Sequence, residues 1–233
     1  MIPLRDVIPS RTFPVVTVAL IAFNTAVFVL QHSLPAAESL ALAGRYGVTP
    51  ASFDWRTVVT ASFVHPGWLG FATNMLVLWL FGENLEDRSG RARYLAFYLT
   101  CGALASAAEA WAHAASARPV LGASGAVAGI LGAYFHMYPR SRVLALVPVP
   151  ILWPMIELPA VAFLGLWLFV QLVTSGPLMP GDETPVVDSF SFVACAAAFL
   201  GGALLIPLFR RAERVKVEWW HDRPQDVRHR DPA

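Results

Sequence analysis

The chain has 233 residues, of which 56% are hydrophobic and only 14% charged, and its formal net charge is +1. Soluble globular proteins carry about 25% charged residues, so this composition describes an integral membrane protein whose first partner is the lipid bilayer. A net charge this small gives no electrostatic basis for nucleic-acid binding.

In chain order, Arg5 and Arg11 precede a mostly apolar run from Phe13 to Leu30. That run is longer than the roughly 7–15 residues of a secretory core, so it reads as an uncleaved first anchor. A membrane helix needs roughly 17–25 apolar residues, and spans are expected at 13–31, 64–82, 94–112, 121–138, 157–174 and 190–209. A further apolar run from Val143 to Ile156 holds Pro148, Pro150 and Pro154. Three prolines deny it a continuous hydrogen-bonded helix, and it reads as an interfacial or re-entrant lead into the fifth span.

Basic residues test the count. With the N-terminus inside, fourteen of the seventeen fall on the cytoplasmic side, leaving Arg45, Arg56 and Arg118 outside. This positive-inside bias favours an even number of spans with both termini cytoplasmic. The expected fold is all-α, a six-helix membrane domain over 1–214 followed by a polar cytoplasmic tail over 215–233. Cys101 and Cys195 both fall within spans and give no disulfide framework.

Gly122-Ala123-Ser124-Gly125 opens the fourth span, and Gly129 and Gly132 follow at helical spacing. Small residues in such a pattern let backbones approach closely, and a serine among them either packs or attacks a carbonyl. The G-x-S-x-G elbow of soluble hydrolases does not apply, because Ala126 fills its last glycine. Asn74 lies in the second span near the depth of Ser124. A buried asparagine in lipid must find partners, so it is either a helix clamp or a donor aimed at a developing oxyanion.

His65 sits at the loop–helix junction beside Pro66 and Gly67, a place where histidines are usually structural. Trp55-Arg56 reads as an interfacial anchor pair. In the sixth span Ala194, Ala198 and Gly202 form a stripe at i, i+4 and i+8 suited to packing on the Ser124 helix. Cys195, beside that stripe, reads as a small buried hydrophobe. No set of His, Cys and carboxylate side chains shares one depth, so neither a metal nor a cofactor is implied.

Taken together these features resemble the rhomboid family of intramembrane serine proteases. The resemblance covers about residues 1–214. It rests on Met1-Ile2-Pro3-Leu4-Arg5-Asp6, Ile8-Pro9-Ser10-Arg11, Trp55-Arg56, His65, Asn74, Phe81-Gly82-Glu83-Asn84, Gly122-Ala123-Ser124-Gly125 and Ile156-Glu157-Leu158-Pro159. It implies a six-helix bundle around an outward-open, water-accessible cavity. It also implies a serine nucleophile, a sixth-span histidine as base, and a second-span histidine and asparagine that help the serine amide hold the oxyanion. Partners would be transmembrane segments of other membrane proteins, and the opening residues resemble a bacterial start, implying a bacterial plasma membrane.

Ser124 matches the nucleophile and Asn74 the oxyanion asparagine. The other two positions depart: Gly70 stands where the second-span histidine is expected, and Cys195 where the base histidine is expected. Losing one oxyanion donor costs about 10²–10³ in rate, whereas losing the base costs about 10⁶ in a soluble serine protease. Apolar burial favours the neutral thiol, which is no proton acceptor for a serine.

His113, at the outer end of the third span, is a substitute base only if the connecting loop brings it inward. His32 and His136 lie too far away, and His221 and His229 belong to the tail. Asp182, Glu183 and Asp188 precede the sixth span and would reach inward only if that loop folds over the site. Three readings follow: a rhomboid-fold pseudoprotease that admits transmembrane segments without cutting them, an active protease with an unconventional base, and a scaffold in which Ser124 only packs.

Overall fold

The computed structural model describes residues 2–6, 12–146, 155–163, 165, 167 and 188–211. The tail at 215–233 and most of the fifth span lie outside these residues, as do Pro148, Pro150 and Pro154.

The architecture is mostly helical. Helix α1 (Val15–Ser33) starts directly after Pro14, and its buried residues Thr17, Leu20, Asn24, Phe28 and Gln31 recur every three or four positions along one stripe. Its remaining surface is apolar and outward-facing, as for Phe23, Val29 and Leu30. Its first turn is held by Glu86, whose carboxylate accepts the Val16 and Thr17 N–H groups at 2.9 and 2.8 Å and the Thr17 hydroxyl at 2.9 Å. An acid at this position meets the positive end of the helix and satisfies donors that have no intrahelical acceptor.

Helices α2 (Ala36–Tyr46) and α3 (Thr57–Thr60) follow, with short 3₁₀ turns at Pro50–Ser52 and Ala61–Phe63. Helix α4 (Trp68–Ser89) joins α5 (Arg91–Ala112) through Gly90 alone, at φ +80°. Helix α6 (Ser124–Met137) follows a two-residue strand, and α7 (Phe192–Phe209) closes the described fold.

Two small sheets mark the two ends of the bundle. At one end, strand β2 (Val120–Leu121) pairs in parallel with β5 (Asp188–Ser189), so α6 and α7 begin side by side. At the other, β1 (Ile2–Asp6), β3 (Arg142–Leu146) and β4 (Met155–Pro159) form an antiparallel sheet in the order β1-β3-β4.

Three helices, α1, α5 and α7, are long and apolar enough to cross a membrane. Helix α4 is as long as α5 but carries Glu83, Glu86, Asp87 and Arg88 in its last two turns. The fourth expected span, 121–138, differs in kind. Helix α6 has 14 residues, about 21 Å at 1.5 Å per residue, against a hydrocarbon core of about 30 Å. Every residue from Ser124 to Tyr134 is buried, because α4, α5 and α7 pack around it. It is apolar because protein surrounds it.

The fifth span also starts differently. Residues 155–159 are extended, and helical residues begin only at Ala160. Pro159 explains the boundary, since the residue before a proline is pushed out of the helical region. The lead at 143–156 begins as β3 and ends in β4, non-helical in both described parts.

Glycines set the closest packing. A Cβ on Gly125 would run into Ala105, and one on Gly129 into Cys101. A Cβ on Gly132 would meet the Phe199 carbonyl, and one on Gly202 the Gly129 carbonyl, with the Gly129 Cα 2.7 Å away. The α6–α7 contact is therefore backbone on backbone. Gly202→Val should force these helices apart and destabilise the protein by about 1–3 kcal/mol. Thermal unfolding in detergent should show this as a clear drop in midpoint, while Gly44→Ala, where an added Cβ meets nothing within 4 Å, should shift it little.

Candidate functional site

Ser124 is the first residue of α6, and the turn before it is tightly specified. Gly122 has φ +120°, a conformation that residues with a Cβ rarely adopt. Its N–H donates to the Ala61 carbonyl at 2.9 Å, and Val48 and Val120 exchange hydrogen bonds at 3.0 and 2.8 Å just before it. The first bond into α6 runs from the Val127 N–H to the Ala123 carbonyl, 2.8 Å. The Ser124, Gly125 and Ala126 amides thus have no intrahelical acceptor, as at any helix start, and form a ready donor set beside the hydroxyl.

The Ser124 hydroxyl is buried, and its oxygen has no hydrogen-bond partner among the described residues. Asn74 is buried on α4, 4% exposed. Gly70, one turn earlier, is exposed, and a Cβ added there meets nothing within 4 Å. The position of the expected second histidine is open space.

Cys195 is fully buried on α7, and its thiol points at the Phe190 carbonyl, 3.9 Å away. The Phe190 ring lies 3.7 Å from where a Gly125 Cβ would sit. Phe190 therefore stands between the start of α6 and Cys195, placing the serine and the thiol at one end of one helix seam. No hydrogen bond joins Ser124, Asn74 and Cys195 to one another among the described residues.

The histidines distribute differently from expectation. His113 binds Glu109 at 2.8 Å, and the other Glu109 oxygen accepts the Ser191 N–H at 2.9 Å. His113 thus belongs to a tie between the end of α5 and the start of α7. His32 pairs with the Phe28 carbonyl at 3.1 Å, and His136 lies in the last turn of α6, far from Ser124. Among the described residues no group of three His, Cys, Asp or Glu side chains gathers as a metal site would.

His65 is the imidazole beside the serine, and sequence reasoning gave it only a structural role at a loop–helix junction. It is fully buried, with its ring edge-on to Phe71 and Phe28 at 5.3 and 6.3 Å. Its backbone N–H donates to the Gln31 side-chain carbonyl at 3.3 Å, and its ring Nε2 accepts the Ala123 N–H at 3.4 Å. An accepting Nε2 puts the proton on Nδ1, which has no hydrogen-bond partner among the described residues. His65 lies before the first turn of α4. Its neighbours Pro66 and Gly67, which set the start of α4, were the available signal.

In the loop before α3, the Arg56 guanidinium lies 5.7 Å from the centre of the exposed Trp55 ring. The Arg56 N–H is fixed by Asp54 at 2.9 Å.

Residues 52–212 match the Rhomboid domain family. Among known proteins, the chain is 32% identical over 99 residues to "Rhomboid protein 1, mitochondrial" of Saccharomyces cerevisiae, covering 40% of this chain and 29% of that protein. It is 31% identical over 149 residues to the human "Presenilin-associated rhomboid-like protein, mitochondrial", covering 63% and 35%. It is 35% identical over 92 residues to "Rhomboid protease GluP" of Bacillus subtilis, covering 40% and 18%. The matched stretch thus spans about a third or less of these relatives' length.

These matches correct the location expected from the opening residues. Most of the matched relatives carry mitochondrial names, which overturns the bacterial plasma membrane; the cytoplasmic placement of both termini goes with it. That location rested on the likeness of the opening residues to a bacterial start, and arginine bias, which orients helices relative to a membrane, does not identify the membrane.

Proposed function

The chain belongs to the rhomboid family, and on that premise we propose that it engages transmembrane segments of other membrane proteins with a serine that is not activated for cleavage. The observation that carries this reading is the Ser124 hydroxyl, buried with no hydrogen-bond partner among the described residues. A serine becomes a nucleophile when an adjacent base takes its proton, and the imidazoles of the described structure are engaged elsewhere: His65 with the Ala123 N–H, His113 with Glu109, His32 with the Phe28 carbonyl. Cys195, in the expected place of the base, offers a buried thiol.

The binding half of the site is better supported than the chemical half. The three amides at the start of α6 that lack an intrahelical acceptor, and the Asn74 side chain, are of the type that holds a carbonyl oxygen or an oxyanion. In the expected roles Ser124 would be the nucleophile and Asn74 an oxyanion donor, with Cys195 and Gly70 the two vacated positions. Six crossings remain the proposed count. They are supported by β4 and β5 lying at opposite ends of the bundle. The membrane domain is proposed to end near residue 214.

A second reading, an active serine endopeptidase with an unconventional base, is favoured by the relative named a rhomboid protease. His65 is its best-placed candidate, one residue from the serine through Ala123, in place of His113.

A serine-directed phosphonate probe separates the two. Wild type should remain unlabelled, and Cys195→His combined with Gly70→His should gain labelling that Ser124→Ala removes. The Gly70 position has room for a ring, and unfolding midpoints of each variant confirm that it folds. Co-purification of single-pass membrane proteins should be equal for wild type and Ser124→Ala. Labelling of wild type together with cleavage of a model transmembrane substrate would establish the second reading instead.

A further inference from the structure

The end of the bundle opposite Ser124 gathers four arginines that pair with no acid among the described residues. Gly90 makes the α4–α5 turn, and its missing side chain leaves room for the Arg211 guanidinium, which packs against it. The Arg211 N–H donates to the Arg88 carbonyl at 2.9 Å, and the Arg93 guanidinium donates to the Arg210 carbonyl at 3.4 Å. Arg91 opens α5 beside them. These contacts join Arg93, Arg210 and Arg211 across two adjoining elements, with Arg91 at the start of the same helix as Arg93, and all four are exposed.

Among the described residues none of these four forms an ion pair, and the acids at this end have other tasks. Glu86 receives the start of α1, Asp87 accepts the Thr12 hydroxyl at 2.8 Å, and Glu157 pairs with Arg142 at 3.2 Å. Like charges held this close repel, so an external anion would relieve the arrangement. Both α5 and α7 are long and apolar enough to span a bilayer, which sets the cluster at headgroup depth. Arginine-rich loops are ordinarily only a topological signal; here one backbone hydrogen bond, from Arg211 to Arg88, and one guanidinium–carbonyl bond, from Arg93 to Arg210, join the two segments that carry the cations.

We propose that Arg91, Arg93, Arg210 and Arg211 form a binding site for the phosphodiester headgroup of an anionic phospholipid. Guanidinium groups present paired planar donors that match phosphate oxygens, and their apolar stems lie along the membrane helices while the charged heads reach the interface. Basic pockets between membrane helices are of the kind that bind anionic lipid headgroups.

The test uses the full chain in nanodiscs of phosphatidylcholine with graded phosphatidylglycerol, counting retained lipid by native mass spectrometry. Wild type should retain phosphatidylglycerol saturably and in preference to phosphatidylcholine. Arg91→Gln with Arg93→Gln should weaken retention about twentyfold, near fivefold per arginine, and the matching lysine pair should weaken it less. Arg140→Gln, an exposed arginine outside the cluster, should change nothing, and unfolding midpoints should show every variant folded. Unchanged retention in the glutamine pair, or an equal loss in Arg140→Gln, would overturn the site. Complete displacement of the lipid by inorganic phosphate would overturn its assignment to a headgroup.

Discussion

The structure depends on the burial of a short helix against bare backbone. Helix α6 reaches its neighbours through positions with no side chain, and at Gly129 and Gly202 the main chains themselves meet. Where lipid surrounds the helices, apolar burial contributes little to holding them together, because lipid tails are as apolar as the core; close van der Waals contact does most of that work. Glycine costs about 1 kcal/mol against alanine within a helix, a cost tolerable only where the resulting contact is tight. The serine sits at the head of this seam, and its position is inherited from it.

Around that seam the polar ties are few and each joins different elements. Glu86 holds α1 to α4, Glu109 holds the start of α7 to α5, and His65 joins the α4 approach to the turn before Ser124. A buried carboxylate or imidazole without partners is costly, and here each one receives backbone N–H groups that would otherwise be orphaned. The same arrangement occupies His65 and His113.

Much of this was legible in the sequence. Composition and run lengths identified a helical membrane protein, and four expected spans coincide with helices to within a few residues at most ends: 13–31, 64–82, 94–112 and 190–209. The spacing of Gly125, Gly129 and Gly132 indicated the packing face. What could not be read was the short length of α6 and the burial of all its residues from Ser124 to Tyr134, because hydropathy does not distinguish a residue facing lipid from one facing protein. Proline at 159 marked a boundary that apolarity alone extended by three residues. Ser124, Cys195 and Phe190 share one end of the bundle through two strands of two residues each, too short to carry any pattern. The part of His65 was hidden for a similar reason: its partner, Ala123, is an amide that every residue but proline has.

The parallel pairing of Val120–Leu121 with Asp188–Ser189 has a mechanical consequence. So small a clasp is held by very few hydrogen bonds, whereas the helices below it are locked over several turns, so strain applied at this rim is released at the clasp first. Tension on the chain ahead of Asp188 would unzip that clasp and loosen the serine's surroundings while leaving the glycine seam closed. The rim can thus change shape without the bundle coming apart.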